Sequence, residues 1–285
     1  MGMGKDSSFE LHSKRPFLSA PIVMFYNLKN NFQMLRHFIS RDLKVRYHNS
    51  FIGYGWSLLE PLALTITFYI LFAILSDDKD PYRPLTILLG ILAWSLFART
   101  LTTGTVSLQR NSSMIKRVYF PREMFMFSKC GYQLIQISLS LFVIIPLLWK
   151  YNLVPTVNIL LLPVGLILIS MLALSFAFFT SILQTKARDM EHLVTVGVRI
   201  SFYLTPVFYP LSMITGGRIP TQYADLYLYL NPMATYITMI RSAFTGDELG
   251  IPQHNLIFTI STTVILFWIG SIYFMRNERR AVKNL

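Results

Sequence analysis

Six apolar stretches run along the chain near residues 56–76, 85–107, 124–149, 157–183, 193–214 and 255–275. A helix needs about 20 apolar residues to cross the hydrocarbon core of a bilayer, and each stretch is that long. The pattern predicts an all-α integral membrane protein with six transmembrane helices. Ahead of the first stretch the period changes. Over 27–47, Leu28, Phe32, Leu35, Ile39 and Leu43 recur at steps of three or four, while Lys29, Arg36, Arg41 and Lys44 fall on other faces. That is an amphipathic helix, suited to lying along the inner membrane surface rather than crossing it. A stop signal that merely orients the first span is the competing reading, although it needs charges and no apolar stripe.

Gly53 and Gly55 break this helix, and Trp56 marks the interface from which the first span rises. The chain thus divides into a cytoplasmic leader with an interface helix, 1–50, and a six-span domain, 51–285. Between the last two spans, residues 215–254 mix the breakers GGRIP and NPM with the apolar runs DLYLYL and ATYITMIRSAF. Such segments enter the membrane as re-entrant helices when buried against protein. A folded outer cap fits equally well, and both readings stay open.

Composition agrees with a membrane protein. Of 285 residues, 53% are hydrophobic and 14% charged, against about a quarter charged in soluble domains. The net charge of +12 sits at the edges of the apolar runs, which makes it topogenic and argues against a nucleic-acid partner. Lysine and arginine crowd the N-terminal segment, 110–129, 186–188 and the tail, whereas 77–84, 150–156 and 215–254 are poor in them. Both termini are therefore expected in the cytoplasm. Residues 1–20 lack the apolar core of a cleavable signal peptide. Cys130 is the only cysteine, so no internal disulfide forms.

Catalytic and metal chemistry find little support. Asp77-Asp78-Lys79-Asp80 resembles acidic clusters that hold magnesium, but it stands alone on the outer side and reads as a solvated loop. The histidines (His12, His37, His48, His192, His254) are scattered, and neither HExxH nor GxSxG occurs. No metal site is expected. MGMGKD is neither a myristoylation signal nor a phosphate-binding loop, so any ATP must be bound by another chain. Arg99 and Arg199 lie inside predicted spans, where a cation is expensive unless paired or facing water. Each is a candidate for holding phosphate, for snorkelling to the boundary, or for an internal ion pair with Glu60. Ala173, Ala177 and Ser181 repeat at four-residue spacing, which permits close helix approach within the chain or between subunits.

The order RDLKVRY, GYGWSLLEPL, LLGILAWSLF, NSSMIKRVYFPRE, KARDM, LTPVFYP, YLNPM resembles the ABC type 2 permeases that export bacterial polysaccharides such as O-antigen, capsule and teichoic acid. The resemblance covers about residues 27–280. It implies a multi-pass protein of the bacterial cytoplasmic (inner) membrane in which a second copy of the chain pairs with two copies of a separate ABC ATPase. That partner would bind ATP and Mg, and this chain would hold no cofactor. It also implies that Lys29, Arg36, Arg41, Lys44, Arg46 and Trp56 serve lipid head groups and the access of a lipid-linked polysaccharide. Ser112, Lys116 and Arg117, together with Arg188 and Asp189, would dock in the ATPase. A sliding sugar chain calls for aromatic faces, which stack on many rings; the candidates are Phe68, Tyr69, Phe72, Trp94, Phe97, Tyr203, Phe208 and Tyr209, with Arg99 and Arg199 for phosphate. Two alternatives are a type 2 exporter of drugs or small amphiphiles and a membrane enzyme of lipid-linked sugar assembly.

Overall fold

A computed structural model describes residues 19–75, 81–216 and 220–285 apart from Asn49, Tyr119, Pro155 and Asn284. The described residues are helical, with no strand among them. In chain order the helices are α1 (Ala20–Asn30), α2 (Phe32–Tyr47), α3 (Trp56–Leu75), α4 (Arg83–Thr105), α5 (Ser107–Arg110), α6 (Ser112–Arg117), α7 (Met124–Lys150), α8 (Leu161–Gln184), α9 (Met190–Leu204), α10 (Ser212–Thr215), α11 (Thr221–Leu230), α12 (Pro232–Thr245) and α13 (Gln253–Lys283). Their ends follow local chemistry. Proline opens α4 and α12 at positions where its missing N–H is not needed. Gly246, at φ 77°, closes α12 in the left-handed conformation that glycine adopts without strain.

Among the described residues, five helices are long and apolar enough to cross a membrane: α3 with the turn before it, α4, α7, α8 with its leading turn, and α13. The expected continuous fifth span over 193–214 is corrected here. Its helix, α9, is 15 residues long, or roughly 22 Å at 1.5 Å per residue, and ends where Thr205 turns extended at φ −92°, ψ 144°. Pro206 is the cause, since proline disfavours a helical conformation in the residue before it and supplies no N–H. The chain then runs irregularly to Pro210 and resumes as α10.

The central element is α4, where 78% of the apolar window is buried, against 6% in α3. Leu85, Leu88, Leu89, Ile91, Leu96 and Phe97 of α4 pack with Ile169 and Leu172 of α8 and with Tyr236 and Ile240 of α12. Small residues set the helix spacing. A Cβ on Gly104 of α4 would lie 2.8 Å from the Cβ of Ala177, and one on Gly270 of α13 would lie 2.9 Å from the Ser175 carbonyl oxygen. Ala173, Ala177 and Ser181 are fully buried within the chain, so the small-residue stripe serves intramolecular packing.

The predicted interface helix over 27–47 is instead two helices that begin at Ala20 and break at Asn31. The buried stripe keeps one spacing across the break, through Ala20, Met24, Asn27, Leu35 and Phe38, and Phe32, one position off it, is 61% exposed. Phe38 stacks on Phe125 with centroids 5.1 Å apart, which fixes α2 to α7. Lys129 pairs with Asp42 across the same contact. On α1, Asn27 Nδ2 donates to Glu123 Oε1 at 2.8 Å, and Arg122 reaches Glu278 of α13 at 3.5 Å. Burial pushes the Glu123 carboxyl above its usual range, against the lowering by the Asn27 amide and the Arg122 charge. The leader before Ser19 and the cluster Asp77–Asp80 lie outside the described residues.

Overpacking tests this spacing. Ala177→Leu would force α4 and α8 apart at Gly104 and is expected to cost about 1–3 kcal/mol. The effect should appear as a lower unfolding temperature of the detergent-solubilised protein, with no change if the two helices are not held at this contact.

Candidate functional site

The fifth apolar stretch, where it breaks, is the centre of the site. A broken helix leaves carbonyls without intrahelical partners, and within apolar surroundings each must find a donor. The donors come from α11, α12 and the break itself. Tyr227 Oη donates to the Leu204 carbonyl at 2.7 Å, and Tyr209 Oη donates to the same oxygen at 3.2 Å. Asn231 Nδ2 donates to Thr205 Oγ1 at 3.0 Å and to Tyr227 Oη at 3.2 Å. Arg241, buried on α12, donates from Nη2 to the Val207 carbonyl at 2.7 Å, from Nη1 to that of Tyr209 at 3.0 Å, and from Nε to that of Thr86 at 3.0 Å. The LTPVFYP and YLNPM motifs, distant in sequence, thus meet as one hydrogen-bonded unit.

On the other side of the break the aromatic residues form a continuous ring network. Phe208 stacks on Phe68 of α3 with centroids 4.7 Å apart and planes 2° from parallel. It also meets Phe72 at 5.6 Å, Phe202 at 5.8 Å, Tyr203 at 6.3 Å and Tyr209 at 5.3 Å. Trp94 and Phe97 of α4 join through Phe202 and each other, at 5.9 and 5.5 Å. Of the aromatic path candidates, Phe68, Phe72, Trp94, Phe97, Tyr203, Phe208 and Tyr209 therefore come together. Trp94 and Phe97 are only 6% and 8% exposed, so they back the network as core. Tyr69 lies on the exposed face of α3.

The two arginine candidates part company. Arg99 Nη2 pairs with Glu60 Oε1 of α3, and Arg46 Nη2 reaches Glu60 Oε2 at 3.4 Å. The pocket beside them, about 30 Å³, also takes Ser57, Ser95, Gln133 and Ser140 from α3, α4 and α7. It has room for a water or two but not for a sugar. Arg199 is exposed on α9 and does not line this pocket. The structure thus gives Arg99 an ion pair in place of a shared phosphate site with Arg199.

At the other end of α4 the two charged segments are joined. Gln184, 2% exposed at the end of α8, donates to Gln109 Oε1 at 2.9 Å and to the Arg188 carbonyl at 3.2 Å. Its own Oε1 accepts from the Glu191 backbone N–H at 2.8 Å. Arg110 pairs with Glu191 at 3.2 Å. Ser112 opens α6, and Lys116, Arg117, Arg188 and Asp189 are exposed around this junction. Lys29, Arg36, Arg41, Lys44, Arg46 and Trp56 are also exposed, along α1, α2 and the start of α3. Among the described residues no group of three His, Cys, Asp or Glu is placed to hold a metal.

Arg241 and Gln184 escaped the sequence reading. For Arg241 a signal existed, because a cation inside the apolar run ATYITMIRSAF obeys the rule that marked Arg99 and Arg199. For Gln184 none did.

Broken helix, ring network and charged junction together describe a membrane subunit, and the sequence profile of the ABC-2 type transporter family matches residues 33–245. The chain belongs to that family. It is similar, over nearly its whole length, to O-antigen export system permease proteins named RfbA. Two from Klebsiella pneumoniae are 28% and 29% identical, over 93% and 92% of this chain and 99% and 98% of the relatives. One from Myxococcus xanthus is 27% identical over 87% of this chain and 94% of the relative.

Two outcomes test these geometries. Glu60 and Arg99 are partly exposed, so their coupling in a double-mutant cycle of Glu60→Ala and Arg99→Ala should be about 0.2–1 kcal/mol, read from unfolding temperatures. Purely additive effects would show that the pair does not form. Gln184→Ala strands buried polar groups at about 1–3 kcal/mol. It should open the junction locally, so that trypsin cuts faster at Lys186 and Arg188; an unchanged cleavage rate would deny Gln184 its holding role.

Proposed function

We propose that this chain is the permease subunit of an ATP-driven exporter that moves a lipid-linked polysaccharide of O-antigen type across a bacterial inner membrane. The observation that carries this reading is the end-to-end similarity to permeases named for O-antigen export. The ring network supports it physically, because aromatic faces stack on successive sugars without fixing one register. In this reading α9, the break and α10 together make the fifth of six crossings, and α11 and α12 are outer re-entrant helices. Both termini face the cytoplasm, as the distribution of lysine and arginine requires.

The complete transporter contains two copies of this chain, related through the exposed apolar faces of α3 and α9, where Ile66, Ile70, Ile200 and Tyr203 are uncovered. Two copies of a separate ABC ATPase bind ATP and Mg and dock on the junction of Ser112, Lys116, Arg117, Arg188 and Asp189. Lys29, Arg36, Arg41, Lys44 and Arg46 receive the anionic substrate and the inner-leaflet lipids. A long charged substrate would first meet this basic surface and then the ring network. Arg46 of this surface and Arg99 of α4 share Glu60.

Purified alone, the chain is expected to show no ATP turnover, and co-production with its ATPase should restore it. Arg188→Glu should lower export by roughly tenfold or more, through loss of charge complementarity at the docking surface, while membrane insertion is retained. ATP hydrolysis by the isolated chain, or full export by the variant, would defeat this reading. Export of a small amphiphile but no polysaccharide would favour a drug exporter instead.

A further inference from the structure

We infer that Arg241 is a positioning residue that holds the Phe208 ring closed on Phe68. The inference rests on the reading above only in placing this ring contact on the export path. The geometry is specific. The carbonyls that Arg241 grips, those of Val207 and Tyr209, flank Phe208 on both sides. Holding the peptide planes before Phe208 and after Tyr209 restricts the four backbone dihedrals between them, and hence the directions in which the Phe208 Cα–Cβ bond can point. That side chain is the one stacked on Phe68 and in contact with Phe72 and Phe202. The third donor of Arg241 ends on Thr86 at the start of α4, the most buried of the five long apolar helices, so the clamp is referred to the well-packed part of the bundle.

A planar fork suits three separated acceptors, whereas a lysine ammonium concentrates its donors at one point. Gly90 completes the device. A Cβ there would lie 2.0 Å from the Val207 carbonyl oxygen and 2.8 Å from Arg241 Nη2, so only glycine lets the break come this close to α4. Beside the guanidinium a cavity of about 320 Å³ is lined by Thr86, Ser212, Thr238, Thr245 and Asp247. It gives the arginine room to withdraw without unpacking the core. Displacement of α12 would then take the donors from both carbonyls and free the ring.

The test uses the full chain in membranes with its partner ATPase. Cys130, the only native cysteine, is buried in α7 and reports general loosening. A Phe208→Cys substitution adds a reporter at the break, and the rate of its modification by a small maleimide is measured with and without Arg241→Met. The expected result is an increase of about tenfold or more at position 208, as for local rather than global opening, with Cys130 still unmodified. Arg241→Lys should give an intermediate rate. Gly90→Ala, whose Cβ displaces the Val207 carbonyl and crowds Arg241 Nη2 while keeping the guanidinium in the chain, should reproduce the selective increase and serves if Arg241→Met fails to fold. An unchanged rate at position 208 in both variants, or a rise matched by Cys130, would overturn the inference. A selective rise accompanied by normal export of long chains, measured in the same variants with Phe208 intact, would uphold Arg241 as the clamp and remove the rings from the export path.

Discussion

A helix interrupted within an apolar run leaves backbone carbonyls without intrahelical partners, and the neighbouring helices are arranged to supply them. The Leu204, Val207 and Tyr209 carbonyls are satisfied by Tyr227, Tyr209 and Arg241. Without α11 and α12 beside it, the break would be too costly to bury. Helices α11 and α12 are therefore part of the fifth apolar stretch in energetic terms, although they follow it in sequence. Because the break is held from one side by hydrogen bonds, its other side is free to present aromatic rings to α3. A continuous helix would have no such asymmetry.

Much of the architecture was legible because long apolar runs leave few choices in a membrane. The boundaries of α3, α4, α7 and α8 fall close to the ends of their apolar stretches. The fifth was misread because Pro206, Val207, Phe208, Tyr209, Pro210 and Leu211 stay apolar while the backbone stops being helical. Hydropathy cannot see that change, although the two prolines announce it. The amphipathic helix was misread at Phe32 because the position on the buried stripe between Asn27 and Leu35 is taken by the polar Asn31, which an apolar count passes over.

The candidate site was legible in its residue types and less so in its contacts. The rule that a cation inside an apolar run needs a partner marked Arg99, but its pairing with Glu60 depends on a meeting of residues 39 apart. Aromatic residues on separate spans were chosen for their chemistry, and most converge. Tyr69 does not, because adjacent positions on one helix point in different directions and Phe68 is the one turned toward α9. Gln184 could not have been found, since its importance lies in three partners that only the fold brings within reach.

The distribution of burial indicates where the bundle separates at least cost. Both polar networks are anchored on α4, through Thr86 at one end and, beyond its other end, through Gln109. Interdigitation at Gly104 and Ala177 joins α4 to α8, so these helices move together if they move at all. By contrast, α3 buries little of its surface, and its specific links to the neighbouring spans include the Phe68 stack and the Glu60 ion pair. Ring stacking and partly exposed ion pairs are each worth on the order of 1 kcal/mol. The seam between α3 and the α4–α9 face can therefore open without a cavity forming in the core. Under the export function proposed above, a polymer would need a boundary of this kind, weak enough to part and lined with faces that do not hold one sugar in place.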